Sequence, residues 1–364
     1  MLRVTAERPG AVELAVEVDG AEASAIAYPA VSGPVAPGDT VVLNTTAMAL
    51  GLGTGGVHVV MAVEGGPDTD LAEDAGRAMK ARYTPSQTAV RAVEETHAEA
   101  LDRSGGLDGT PVVAAPLHSL VAPVAAGARA AGAERVVYVM TDQAALPGGL
   151  SRLVARLREH GLLDGFVTAG QAFGGEVEAA TVWTGLLAAV EVLRADVVVV
   201  ADGPGNLGTG TRWGVSALAS GNVLNAAHAL GGRPVAVLRI GFADPRERHR
   251  GVSHHSLTIL SEVCLVSATV AVPTLAEPRR SEVWEQLRGA GLEDRHQLVE
   301  ASGDLALELL RERDVEVESM GRTPSEDPAF FLAGGAAGVL AGRMAAGSKA
   351  WRASRPDGET SGRG

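Results

Sequence analysis

Residues 196–201 read Asp196-Val197-Val198-Val199-Val200-Ala201, and a glycine loop follows at once: Asp202-Gly203-Pro204-Gly205-Asn206-Leu207-Gly208-Thr209-Gly210-Thr211-Arg212-Trp213-Gly214. A β-branched run that is apolar on both sides belongs to a strand covered on both faces, the situation of a parallel sheet sandwiched between helices. Working outward, the same strand-then-helix unit recurs. Upstream, strands are expected at Pro111–Ala115, Arg135–Met140 and Gly165–Ala169, with helices at Leu120–Ala131, Leu150–His160 and Ala179–Leu193. Downstream come a helix at Ser216–Leu230 and strands at Pro234–Ile240 and Ser267–Val272. This alternation predicts an α/β domain with a doubly wound, mostly parallel sheet. Helices are further expected at Ser281–Leu287 and Leu298–Leu310, and a strand at Glu316–Met320.

The first 66 residues have a different rhythm. Val12–Val18 alternates with period two and ends in Asp19-Gly20, a hairpin signal. Thr40-Val41-Val42-Leu43 and Val57–Val63 are further short strands, so a small antiparallel β-barrel-like domain is expected over residues 1–66. The Gly/Pro/acid-rich run from Gly65 to Asp74 reads as a linker, and Thr84-Pro85-Ser86 as a helix start. The α/β domain then spans 80–347, and the polar, glycine-rich residues 348–364 are expected to be disordered.

Composition narrows the function. The net charge of −13 argues against holding nucleic acid by its phosphates. The single cysteine, Cys264, excludes an internal disulfide and a four-cysteine zinc site. Only Lys80 and Lys349 are lysines, and neither follows a glycine-rich turn, so a Walker-type phosphate loop is absent. No basic-then-apolar leader follows Met1, and the apolar stretch Phe330–Leu340 is short for a bilayer, so a cytoplasmic protein without a membrane partner is expected. Phe330-Phe331-Leu332 and the Ala/Gly-rich residues after it can pack on their own domain or on a second copy.

Ligands of open parallel sheets bind beyond the carboxyl ends of the strands. Three polar clusters fall there. In the glycine loop, Gly203, Gly205, Gly208 and Gly210 let backbone amides approach a ligand, with Asn206, Thr209 and Thr211 as polar contacts and Arg212 to neutralise an anion. Asp202, at the strand end, can serve as base, metal ligand or ribose contact. Pro204 and the loop's length break the dinucleotide fingerprint. The second cluster is Asp244-Pro245-Arg246-Glu247-Arg248-His249-Arg250-Gly251-Val252-Ser253-His254-His255-Ser256, which concentrates three of the nine histidines. His249, His254 and His255 offer proton transfer near neutral pH or metal ligation, and Asp244 can orient them. Their spacing does not align on one helix; a loop running into a helix start, capped by Ser253 or Ser256, would gather them. A divalent metal is an open alternative there. The third set is scattered over earlier strand ends, with His118 and Asp142 its strongest members.

Asn44-Thr45-Thr46, Leu50–Gly56, Tyr83-Thr84-Pro85, Gly203–Gly214 and His249–His255 together resemble one bacterial family, domain-of-unknown-function family 3866, and the resemblance spans nearly the whole chain. It implies no substrate and no catalytic residue. From the residues, the leading expectation is an enzyme, a hydrolase or group transferase, acting on a phosphorylated or nucleotide-like small molecule. The alternative is a non-catalytic small-molecule-binding or regulatory protein.

Overall fold

The computed structural model describes residues 1–51, 56–66, 76–141 and 147–353. Five strands open the chain: β1 (Arg3–Arg8), β2 (Ala11–Val18), β3 (Ala21–Ala27), β4 (Val41–Asn44) and β5 (His58–Val63), with one-turn helices α1 (Pro29–Ser32) and α2 (Thr46–Ala49) between them. They form one sheet in the order β1-β2-β3-β5-β4. It is not the expected antiparallel barrel. β3 and β5 run parallel, and β1 and β4 are open edges. The stretch from Tyr28 to Thr40 carries α1 and turns, so the chain crosses over instead of continuing the hairpin meander that a barrel needs.

The expected helix start at Thr84 is instead a hairpin, β6 (Ala78–Lys80) with β7 (Thr88–Val90). Tyr83 adopts φ of 61°, which breaks helix continuation. Helices α3 (Val93–Thr96) and α4 (Ala98–Arg103) begin only after it. Lys80 is fully buried and donates to the carbonyls of Gly170 and Ala172 at 2.7 and 2.9 Å, which pins the hairpin to the large sheet.

That sheet comprises β8 (Pro111–Ala114), β9 (Val136–Thr141), β10 (Gly165–Ala169), β11 (Val177–Ala179), β12 (Val197–Asp202), β13 (Arg233–Val237), β16 (Thr269–Pro273) and β17 (Gln297–Ala301). Its order is β11-β10-β9-β12-β8-β13-β16-β17, and every pairing is parallel. A two-residue pair, β14 (Ile240–Gly241) with β15 (Gly251–Val252), stands off the end of β13. The remaining helices are α5 (Val121–Ala130), α6 (Arg152–Glu159), α7 (Val182–Glu191), α8 (Ala219–Ala229), α9 (His254–Thr258), α10 (Arg279–Gly289), α11 (Asp304–Glu312) and α12 (Pro328–Ala353).

Alternate residues of the central strands serve two cores. Val197, Val199 and Ala201 face the side of α5, α11 and α12, while Val198 and Val200 face that of α7, α8 and α10. This is the doubly wound, two-faced burial that the valine run implies. Two late elements differ from expectation. The segment expected as helix 298–310 divides into β17 and α11, because Ser302-Gly303 interrupts it and Ser302 Oγ accepts from the Asp304 amide at 3.1 Å. The expected strand at 316–320 is a loop closed by the Ser319–Arg322 bridge. In that turn Met320 and Gly321 both adopt positive φ, 51° and 70°, as a tight two-residue turn requires. The short apolar stretch at 330–340 is part of α12, the one helix among the described residues long and apolar enough to cross a bilayer, and most of it is buried inside the protein. Residues 348–353 continue α12, and residues 354–364 of the expected disordered tail lie outside the described residues, as does most of the expected linker.

Candidate functional site

A cleft of about 1310 Å³ opens beyond the carboxyl ends of β8, β12 and β13. Its floor comes from Leu117–Ser119 after β8 and Pro204–Thr209 after β12, and one wall from the arginine–histidine segment after β13. Its far wall is the end of α11 and the loop Val315–Ser325. The strand order explains the position: β12 inserts between β8 and β9 after the chain has wound outward to β11, so the loops at these central strands leave in different directions and part.

The histidines are gathered as a loop-into-helix arrangement requires. β14 and β15 pair antiparallel and turn the chain back on itself across residues 242–250. The Ser253 amide donates to the Arg239 carbonyl and the Arg239 amide to Ser256 Oγ, both at 2.9 Å, which locks the segment to the end of β13. Ser253 Oγ caps α9 through the His255 amide at 3.4 Å and lies 2.8 Å from Nδ1 of His249. His249 thus faces His254 and His255, with ring centroids 5.4 and 5.6 Å away and the latter two rings 3.8 Å apart. His249 and His255 are buried and border the cleft; His254 is half-buried behind them. Burial pushes the pKa of His249 down to about 3, with Arg239 and Arg246 adding to the effect. Burial and then His254 push His255 to about 4, and burial lowers His254 as well. At neutral pH these imidazoles are therefore uncharged and have lone pairs to offer.

Asp244 is not their orienting partner. Its carboxylate meets Arg246 at 2.7 Å, Arg239 at 3.2 Å and Arg322 at 3.6 Å. The Arg246 hydrogen bond holds its pKa well below the usual carboxylate range. Asp202 also stands apart: it is buried, and its Oδ1 accepts the Thr141 hydroxyl at 2.5 Å beside a small internal space under β8 and β12.

In the glycine loop, Gly205, Asn206, Gly208 and Thr209 face the cleft, and Asn206 Nδ2 ties the loop to the Pro116 carbonyl and to Ser216 Oγ at 3.3 and 3.2 Å. Gly203 is buried beneath them, whereas Gly210 and Thr211 are exposed outside the wall. Arg212 turns away, pairing with Glu262 at 2.6 Å and stacking on Trp213. Asp142 lies outside the described residues.

His118 forms a buried chain of polar groups. The Val154 amide donates to Ser151 Oγ at 3.0 Å, Ser151 Oγ lies 2.7 Å from His118 Nε2, and His118 Nδ1 lies 3.1 Å from the Tyr138 hydroxyl, which donates on to the carbonyls of Ala201 and Asp202. A neutral imidazole protonated at Nδ1 supplies each step with one donor and one acceptor. Burial pushes the pKa of His118 down to about 4.

Among the arginines the sequence reading singles out Arg212 alone and none of those that line the cleft. Arg152, Arg156, Arg239, Arg246, Arg248 and Arg311 line the cleft against three carboxylates, Asp314, Glu316 and Glu318. No carboxylate among the described residues lies within ion-pair distance of Arg156, Arg248 or Arg311. The signal was present, since Arg246, Arg248 and Arg250 interleave the histidine segment itself. The far wall left no local signal, because α11 and its following loop reach the cleft only through the tertiary fold.

No curated protein and no solved structure matches the chain. A family model described as a protein of unknown function (DUF3866) matches residues 24–338, a span that takes in the central strands, the glycine loop and the histidine segment. The chain belongs to that family.

Proposed function

We propose that the cleft binds a phosphorylated or nucleotide-like small molecule, and that the protein is a hydrolase or group transferase acting on it. One observation carries this reading: in a chain of net charge −13, arginines gather on one cleft, and Arg239, Arg246 and Arg248 share a wall with His249 and His255. Guanidinium groups suit the planar, bidentate capture of phosphate oxygens. The cleft is large enough for a nucleotide-sized ligand. Gly205 and Gly208 leave the backbone bare along its floor, and His249 and His255 are the proton-handling groups at its edge.

A non-catalytic binding role is the second reading. It is favoured by the positions of Asp202 and Asp244, whose carboxylates bond Thr141 and arginines instead of the histidines. The test is thermal melting against a panel of nucleotides and sugar phosphates. A ligand at about a hundred times its Kd stabilises by roughly 2.7 kcal/mol, a shift of several degrees. The expected shift falls to about half or less in Arg248→Ala; a panel that produces no shift overturns the phosphate reading. Turnover of the ligand that binds, abolished in His249→Ala, separates enzyme from sensor.

A further inference from the structure

We propose that His249, His254 and His255 form a binding site for a divalent transition metal of the zinc class, with its remaining coordination position open to the cleft. One ring nitrogen from each histidine lies within 4.8 Å of the other two. Nε2 of His254 and Nδ1 of His255 are buried and have no hydrogen-bond partner. Each such unmet group costs about 1–3 kcal/mol, a cost that ligation removes. Ser253 Oγ, 2.8 Å from Nδ1 of His249, turns that ring and leaves its Nε2 for the metal, the outer-shell arrangement that orients metal-bound histidines.

Hydrogen bonds at Ser253 and Ser256 hold the segment in place. His249 ends a short turn before β15, and His254 and His255 open α9 under the Ser253 cap. Three imidazoles without a carboxylate form a donor set for zinc, not for magnesium or calcium, which require oxygen ligands. Zinc–nitrogen bonds of about 2.0–2.1 Å at tetrahedral angles place ligand nitrogens roughly 3.4 Å apart, so small ring rotations inward complete the site. His249 and His255 border the cleft, so a fourth ligand would come from there. Arg239, Arg246 and Arg248 on the same wall weaken the hold on a bare cation and favour an anion beside it. This coupling of metal to anion rests on the phosphate reading above; the histidine site itself does not.

The test uses the full chain, stripped with a chelator and titrated calorimetrically with Zn²⁺, then with Co²⁺ in an absorption cell. One ion per chain and the visible band of a low-coordinate nitrogen-ligated Co²⁺ are expected, with no response to Mg²⁺. His254→Ala and His255→Ala should each weaken binding at least 100-fold, and Ser253→Ala by about 10- to 100-fold. Absence of saturable Zn²⁺ binding by the wild type overturns the proposal whether or not a variant folds. So does Zn²⁺ binding that both histidine variants leave intact. Repeating the titration with inorganic phosphate separates the two readings. Histidine-dependent zinc binding that phosphate does not alter supports the metal site and overturns the anion reading; phosphate binding by a chain that takes no zinc does the reverse.

Discussion

Oδ2 of Asp244 accepts a hydrogen bond from Nη2 of Arg239 at 3.2 Å, and the carboxylate is almost completely buried. Burial pulls Arg239 down to about 10 and Asp244 opposes that shift, so the arginine is charged at neutral pH and the carboxylate is its buried counter-ion. The same carboxylate reaches Arg322, which leans toward Asp327, whose Oδ1 accepts the Phe242 amide at 3.0 Å. Asp244 therefore joins the histidine segment to the far wall of the cleft. Removing one partner of a buried pair strands the other, at a cost of about 3–5 kcal/mol. Asp244→Ala is expected to lose that much in urea denaturation at neutral pH. A loss under about 0.5 kcal/mol, the range of ordinary surface changes, would show that the pair carries no such burden.

Arg212 and Arg248 should behave in opposite ways. Arg212 forms a half-exposed pair with Glu262, worth about 0–1 kcal/mol, and stands off the cleft wall. Arg212→Ala is expected to leave both ligand affinity and stability close to wild type. Arg248 is exposed on the cleft wall with no carboxylate in range among the described residues. A charge-assisted hydrogen bond to phosphate contributes about 1.5–3 kcal/mol, so Arg248→Ala should weaken an anionic ligand by roughly 10- to 100-fold without changing the melting temperature of the free protein. Equal effects of the two variants on binding, measured by calorimetry, would refute this division.

The valine runs made the large sheet legible, because a strand buried on both faces has no polar period to confuse it with a surface helix. The histidine gathering was legible for a related reason: spacings of five and six exclude one helix face and leave a loop entering a helix, which β15 and α9 provide. β17 was less visible. Gln297-Leu298-Val299-Glu300-Ala301 is an edge strand, half-exposed, and its polar ends blend into the amphipathic α11. Asp202 shows the other limit. Its place at a strand end is read from the sequence, but its direction depends on Thr141 of the neighbouring strand, a pairing that no local pattern encodes. Arg212 misled in the same way, since Glu262, fifty positions on, decides where it points.

His118 supplies a pH dependence. Its pKa falls from 6.5 to about 4 through burial, so the folded state binds its proton less readily than the unfolded chain. A depressed histidine contributes stability above pH 6.5 and loses it as pH falls toward 4. At 1.36 kcal/mol per pKa unit, the full effect is about 3 kcal/mol. Wild-type stability should therefore fall over this window more steeply than that of His118→Gln, which has no proton to gain. Parallel curves from denaturation at pH 7, 6, 5 and 4.5 would mean that the Ser151–His118–Tyr138 chain accepts a charged imidazole.

Helix α12 depends on close approach to α5. A Cβ built on Gly338 would overlap the carbonyl oxygen of Val124, and one on Gly342 would stand 2.5 Å from that of Ala128. The two backbones thus meet without side chains between them, and neither can yield, because α5 is buried from Val121 to Ala128 and packs on the sheet. In a free helix Gly→Ala would stabilise by up to about 1 kcal/mol. Here the added methyl forces the helices apart, and overpacking of this kind costs about 1–3 kcal/mol or more. Gly338→Ala is expected to be destabilising in spite of its helix propensity, while Gly347→Ala, with open space around its Cβ, should be neutral or stabilising. A stabilised Gly338→Ala would show that α12 does not lie against α5 at this distance.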